Sequence, residues 1–395
     1  MCKVVSIKAD VNYQKRQAMN YTISADDIEV LRLCPVCNSE VYVAISEVYY
    51  MNFSILTTSC CTNCCFVFRS TRPKALWFQN SWIKREKITN KIDYSFHTAL
   101  EQRRYNRYKN LAVFLEKVTD KRSMLDVGTG PGTGLRAFKD RAWDVAGFEP
   151  DPSRAKIAVQ QHGIKMVEGK FDELSEKFDF VSLIHTLEHM HNLYDFLSDV
   201  VKCIKPGGYI YMEVPDLLHF VNWRDALYLE HMGNFTIENL IFMGSRFSLS
   251  AKYQLFPKTQ PFGKTHIGVL FKKEIEHYQK NDLPCPDQLE RIKLLYTRGL
   301  PKNRIDFPIK YQISEINNLA VTTDKKYPLF DKRNHCFVMS SANFFAKIKL
   351  VMFKLIALDN LGQFILNCFR SYASKILPIL KDDDFENIKA IKREP

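Results

Sequence analysis

Between residues 123 and 216 the apolar positions follow two alternating patterns. Short apolar runs end at a glycine, a carboxylate or a histidine: "SMLDVG" (123–128), "WDVAGFEPD" (143–151), "IKMVEG" (164–169), residues 178–185 of "KFDFVSLIHTLEHM", and "YIYMEVPD" (209–216). Between them lie stretches with helical spacing: "LRAFKD", then "DPSRAKIAVQQHG" closed by Gly163, then "NLYDFLSDVVKCIKPGG" stopped by Pro206 and two glycines. Strands alternating with helices of these lengths predict a mostly parallel sheet covered on both faces, a doubly wound α/β fold. Upstream, "SEVYVAISEVYYMNFSILTTS" (39–59) is rich in β-branched and aromatic residues and predicts two short strands joined by a turn. "ALEQRRYNRYKNLAVFLEKV" (99–118) predicts a helix with a basic, tyrosine-rich first half. Beyond residue 273, "DLPCPDQ" and "LPKNRIDFP" are loop punctuation, and 343–380 is apolar with interspersed cations, the pattern of one or two amphipathic helices.

The length of 395 residues suits two or three domains, and 46% hydrophobic with 25% charged residues describes an ordinary soluble chain. The formal charge of +12 favours acidic partners: nucleic acid, an anionic membrane or a phosphorylated substrate. "MCKVVSIKADVNYQKRQ" has no apolar core of signal-peptide length, and the chain contains no apolar run long enough to span a membrane. These features predict a cytoplasmic protein. In that reducing compartment the 11 cysteines read as metal ligands or buried thiols rather than disulfides.

Six of those cysteines fall in "CPVC" (34–37) and "CCTNCC" (60–65). Cys34 and Cys37 with Cys61 and Cys64 form two C-x-x-C pairs, each of which aims two thiolates at one point. With the intervening strands they predict a zinc ribbon. Four sulfur ligands leave no open coordination position, so the expected Zn2+ is structural. Cys60 or Cys65 could replace a member of the second pair.

"DVGTGPGTG" places Gly128, Gly130 and Gly132 at every second position, two residues after Asp126. Such a loop brings backbone close to a ligand. Thr133 stands where the dinucleotide pattern needs a third glycine, and the G-K-[ST] of a phosphate-gripping loop is absent. Glu149, at the end of the next strand, can accept both hydroxyls of a ribose. The glycine loop, Glu149 and His185 all fall at the carboxyl ends of strands, where ligands bind in open α/β sheets.

These segments, with "LYDFLSDVVKCIKPGGYIYMEVPD" and "EHMGNFTIENL", resemble the class I S-adenosylmethionine-dependent methyltransferases over about residues 119 to 273. The resemblance implies a Rossmann-like, seven-stranded sheet. A helix beginning near Thr236 would be followed by a sixth strand, and a seventh would lie in "KTHIGVLFKK". It implies that S-adenosyl-L-methionine is the cofactor. Asp126, Gly128, Gly130 and Gly132 would lie under its methionine part, Glu149 would hold the ribose, Pro150 would approach the adenine, and His185 would line the pocket. Residues 169–174, "GKFDEL", stand where the family contacts adenine. The ligand would carry a ribose and no phosphate.

A four-cysteine module ahead of this fold is similar to the nucleotide-sugar C-methyltransferases, whose Y-x-E-H cluster matches Tyr228, Glu230 and His231 here. That resemblance implies a small-molecule sugar substrate in carbohydrate biosynthesis. His231 would be the base, Tyr228 a donor to the carbonyl oxygen, and Glu230 the group orienting the imidazole. Glu188 and His189 would hold local structure near the pocket. The departure is the tail, where the fuller members carry a second α/β domain. Two further readings compete: an RNA methyltransferase that grips nucleic acid with its ribbon and with Arg103, Arg104, Arg107 and Lys109, and a scaffold that binds zinc and cofactor without catalysis. The expected organisation is a zinc ribbon over 1–70, a helical linker over 71–118, the methyltransferase domain over 119–273, and a mostly helical extension over 274–395. The extension's amphipathic helices could pack on the core, form a dimer contact or lie on a membrane surface.

Overall fold

The computed structural model describes residues 23–50, 52–81, 99–169, 171, 174, 176–219, 228–255, 266–275, 287–296, 309–313 and 388–390. In chain order the strands are β1 (Ile28–Val30), β2 (Tyr42–Tyr50), β3 (Phe53–Cys61), β4 (Val67–Pro73), β5 (Ser123–Val127), β6 (Asp144–Phe148), β7 (Lys165–Met166), β8 (Phe178–Ile184), β9 (Ile204–Pro215), β10 (Gly233–Asn234), β11 (Leu249–Leu255), β12 (His266–Lys273), β13 (Ile309–Ile313) and β14 (Ile388–Ala390). The helices used below are α1 (Ala99–Val118), α2 (Thr133–Lys139), α3 (Pro152–His162), α4 (Leu193–Lys202), α5 (Ile237–Ser245) and α6 (Asp287–Tyr296), and residues 75–81 are also helical.

Two sheets form. The larger runs β14-β11-β12-β9-β8-β5-β6-β7. From β7 to β9 its neighbours are parallel, while β12 pairs antiparallel with β9 and with β11. The seven strands expected for the class are all present, and β14 adds an edge strand on β11. The strand order reverses at β5, which places a crevice beyond the carboxyl ends of β5 and β8. Strand β8 is buried along its whole length, as a central parallel strand covered on both faces must be.

The smaller sheet runs β1-β4-β3-β2-β13. β2 and β3 are the hairpin expected between the cysteine pairs. This sheet is not a separate lobe. β10, from the chain that follows the large sheet's fifth strand, pairs with β4. Cys34, Cys61, Cys64, Phe66 and Phe68 share one hydrophobic core with Leu187, Phe235 and Leu240.

After residue 273 the described residues form α6 and the short strands β13 and β14. The amphipathic helices expected over 343–380 lie outside the described residues. Among the described residues, no helix is long and apolar enough to cross a membrane.

Candidate functional site

The glycine loop is tied to the end of β6. The N–H groups of Gly128 and Thr129 both donate to the Phe148 carbonyl, at 2.8 and 3.1 Å. Gly130 N–H donates to Glu149 Oε2 at 2.7 Å, and Asp151 N–H donates to Oε1 at 3.0 Å. A carboxylate offers about four acceptor positions, so both oxygens of Glu149 retain capacity for hydroxyls. Burial raises the Glu149 carboxyl above its usual range.

Gly128, Gly130 and Gly132 all have φ in the left-handed region, at 84°, 61° and 81°. A Cβ at Gly128 would meet Thr186 Oγ1 at 2.6 Å, and one at Gly132 would meet Ala158 Cβ at 2.7 Å. At Gly130 a Cβ would meet nothing within 4 Å. The loop is thus packed on its protein side at two glycines and open at the third. This open cradle beside a half-buried carboxylate fits the nucleoside and amino-acid parts of S-adenosylmethionine. Pro150 is exposed beside Glu149. In the segment expected at the adenine, residues 170, 172 and 173 lie outside the described residues, and Phe171 packs on Phe148 with ring centroids 4.6 Å apart.

Asp126 lies beneath the loop, fully buried. It accepts from Ser182 Oγ at 2.5 Å and Tyr108 Oη at 3.1 Å. Burial pushes its carboxyl up to about 6 against these bonds.

His185 follows β8 with φ 55°, an unfavourable conformation for a residue with a Cβ. Its Nδ1 lies 3.1 Å from Glu188 Oε1, and its Nε2 lies 3.6 Å from Glu213 Oε1. Burial lowers the affinity of its imidazole for a proton. His266 stacks edgewise on it at 4.4 Å. Glu213 is fully buried, accepts from Tyr211 Oη at 2.7 Å, and forms an ion pair with Arg107 from α1. Although His185, Glu213 and His266 converge within 4.8 Å, that guanidinium already supplies the positive charge.

The expected catalytic residues gather just ahead of β10. Tyr228 Oη donates to Glu230 Oε2 at 3.1 Å, and the Tyr228 and His231 rings lie 4.8 Å apart. The carboxylate grouped with His231 is Glu188: Glu188, His189 and His231 place donor atoms within 4.8 Å of one another. His189 Nδ1 faces the Glu230 carbonyl at 3.1 Å. A carbonyl only accepts, so this nitrogen carries the proton. Burial alone would raise the Glu188 carboxyl, but the His185 hydrogen bond and the nearby histidine charges outweigh it and hold it below its usual range. The family resemblance pointed to Tyr228, Glu230 and His231. It did not point to the joining of Glu188 and His189 with them, because the two loops meet only through the fold.

The four chosen cysteines converge. The sulfurs of Cys34 and Cys64 are 3.6 Å apart, those of Cys37 and Cys61 are 3.5 Å apart, and all four lie within 4.8 Å. Sulfurs at tetrahedral corners about 2.3 Å from one zinc ion would be roughly 3.8 Å apart, so the set fits that ion. The two turns repeat one geometry. Asn38 N–H donates to Cys34 O and Cys34 N–H to Ser39 O; likewise Cys65 N–H donates to Cys61 O and Cys61 N–H to Phe66 O. Asn38 and Cys65, the residues after each pair, both have left-handed φ, 59° and 54°. Cys60 and Cys65 instead pack into a separate cluster with Ile45, Leu217 and Tyr296.

A family described as "Methyltransferase domain" matches residues 99–249. A demethylmenaquinone methyltransferase of Tropheryma whipplei is 28% identical over 97 residues, which are 23% of this chain and 41% of that protein. The C-methyltransferase NovU of Streptomyces niveus is 23% identical over 133 residues, 31% of each chain. The chain thus spans well under half the length of these curated relatives. Among solved structures, the 1,6-didemethyltoxoflavin-N1-methyltransferase of Burkholderia thailandensis aligns at 13% identity over 55% of this chain and 96% of that one, with a TM-score of 0.40. The N-methyltransferase NodS of Bradyrhizobium japonicum aligns at 14% identity over 49% and 97%, with a TM-score of 0.38. The family match lies over the glycine loop, Glu149 and the parallel strands, so residues 99–249 carry a methyltransferase domain.

Proposed function

We propose that the protein transfers a methyl group from S-adenosylmethionine to a sugar, nucleotide-linked or a surface-glycan precursor, at carbon or hydroxyl oxygen. The observation that carries this reading is the convergence of His231, His189 and Glu188 beside Tyr228 and Glu230, on loops that follow the parallel strands bordering the glycine loop. The cofactor supplies an electrophilic methyl on a sulfonium that leaves as a neutral thioether, so the acceptor is the partner that needs activation. An imidazole titrating near neutral pH can take the proton from a carbon next to a ketone, or from a hydroxyl. His231 has that role. Glu188 stabilises the positive charge that His231 gains, and Tyr228 Oη, once its hydroxyl turns from Glu230 to the substrate, donates to the oxygen on which negative charge develops. The likeness to a C-methyltransferase favours carbon as the acceptor atom.

The four-cysteine module holds a structural Zn2+ in this reading. A role in RNA methylation is less favoured, because two of the four basic residues in the first half of α1 face protein partners: Arg104 pairs with Glu101 and Arg107 with Glu213.

The test is calorimetric titration with S-adenosylmethionine, followed by incubation with a panel of nucleotide-linked 4-keto deoxysugars. Cofactor binding in the micromolar range and release of S-adenosylhomocysteine with one panel member are expected. No binding at high micromolar cofactor would sink the reading.

A further inference from the structure

The small sheet does more than carry the four-cysteine centre: its strand β4 reaches both loops that carry the histidines. Arg69 is fully buried. Its backbone N–H donates to the Met232 carbonyl at 3.0 Å, and its side-chain Nε donates to the His231 carbonyl at 3.0 Å. Its Nη1 donates to Thr58 Oγ1 on the neighbouring strand β3. Directly beyond, Gly233 and Asn234 pair with Phe68 and Val67. Three residues toward the carboxyl end of β4, Arg72 Nη2 donates to the His191 carbonyl at 3.0 Å, and His191 Nε2 returns a bond to the Pro73 carbonyl at 3.1 Å. His191 belongs to the loop that also carries His185, Glu188 and His189.

We infer that Arg69 is a positioning residue for His231. It holds that residue's backbone so that the imidazole meets Glu188 and His189. The inference rests on the reading of His231 as the base. A guanidinium suits the task because it is planar and delivers donors in fixed directions to two acceptors at once, here Thr58 on β3 and the His231 carbonyl in the loop before β10. A charge-assisted hydrogen bond in a buried setting is shorter and stronger than a neutral one. The hairpin between the two cysteine pairs supplies the anchor. β3 carries Thr58 and ends at Cys61, and Asn239 Nδ2 on α5 donates to the Cys64 carbonyl at 2.7 Å. The module thereby fixes the geometry of a site to which it contributes no reacting atom.

The test uses the full chain labelled with ring-15N histidine, with the imidazole resonances assigned by His→Gln variants. Arg69→Lys keeps the charge and loses the fork. It is expected to move the His231 resonances while leaving those of His162, on the far side of the glycine loop, and S-adenosylmethionine affinity in place. Thr58→Val, a milder change that removes the other acceptor, should move the same resonances and covers the case in which Arg69→Lys fails to fold. Ser70→Ala, which alters the adjacent β4 residue and its Ser59 contact, should leave His231 unmoved. Unmoved His231 signals in Arg69→Lys or Thr58→Val overturn the inference, and so does an equal shift in Ser70→Ala. Those outcomes in a protein that still binds S-adenosylmethionine leave the methyltransferase reading intact, whereas absent cofactor binding defeats that reading instead.

Discussion

Gly130 N–H donates to Glu149 Oε2 at 2.7 Å, which joins the centre of the glycine loop to the end of the next strand. The bond leaves the loop's open face and the carboxylate beside one another, where a ribose would lie between backbone and acid. Replacing Glu149 by Ala removes two acceptors for the hydroxyls together with the tie to Gly130. Cofactor affinity is expected to fall at least tenfold, about 1.4 kcal/mol. Glu149→Gln should lose less, since one carbonyl oxygen remains. Calorimetric titration with S-adenosylmethionine measures both.

The glycines of the loop separate fold from ligand. Gly132→Ala forces a Cβ to 2.7 Å from Ala158 Cβ at φ 81°. It should destabilise the protein by about 2–4 kcal/mol, the sum of a left-handed backbone and an overpacked contact. Gly130→Ala has φ 61° but no neighbour within 4 Å. It should cost only the backbone term, about 1–2 kcal/mol, yet lower cofactor affinity because its methyl stands in the cradle. Thermal melts paired with cofactor titrations distinguish the two; equal effects on both properties in both variants would contradict the assignment of faces.

Much of this arrangement was readable from the chain. Apolar periodicity located β5, β6, β8 and the helices α1, α3 and α4, and Gly163 closes α3 at φ 59° as its type and place require. The cysteine spacing selected the four thiols that converge. Departures arise where tertiary contact overrides local pattern. Pro206, Gly207 and Gly208 read as a helix stop, but α4 ends at Lys202 and β9 has already begun at Ile204. Gly208 lies inside that strand because a Cβ there would meet the Asp179 carbonyl of β8 at 2.9 Å. The expected strand 164–169 contracts to Lys165–Met166 at the sheet's edge. The pairing of Arg107 with Glu213, and of Glu188 with the His231 loop, joins residues far apart in sequence, which no periodicity reports.

Asp126 gives a pH dependence whose sign can be worked out. Its carboxyl rises from 3.8 to about 6 on folding, chiefly through burial. Between these values the native state binds more protons than the unfolded chain, so stability falls as pH rises through the window and levels off above it. The full shift corresponds to about 3 kcal/mol at about 1.4 kcal/mol per unit. Asp126→Asn cannot titrate. The difference in unfolding free energy between wild type and variant, measured by denaturant melts from pH 4 to 7, should therefore change by up to this amount. A constant difference would show that Asp126 titrates as an exposed acid does.

His231→Gln should reduce methyl transfer by at least a hundredfold, the range of a lost general base, with S-adenosylmethionine affinity unchanged. Tyr228→Phe should reduce it by roughly tenfold to a hundredfold by removing one donor to developing charge. Release of S-adenosylhomocysteine in the presence of a panel sugar that is turned over reports both rates. Undiminished turnover in His231→Gln would move the role of base to His189, the imidazole 4.9 Å away.

The six clustered cysteines divide into two sets, and metal content can tell them apart. Cys34, Cys37, Cys61 and Cys64 aim at one point, while Cys60 and Cys65 face the cluster around Ile45 and Tyr296. Native mass spectrometry of the intact protein should find one zinc ion per chain at this centre. Cys61→Ser should lose it, because a hydroxyl is a poor substitute for a thiolate ligand. The melting temperature should fall with it, since zinc binding in such a module is folding free energy. Cys60→Ser and Cys65→Ser should retain the metal and lose only packing. Loss of zinc from Cys65→Ser with retention in Cys64→Ser would reverse the ligand assignment and require the second turn to close on the opposite side of its strand.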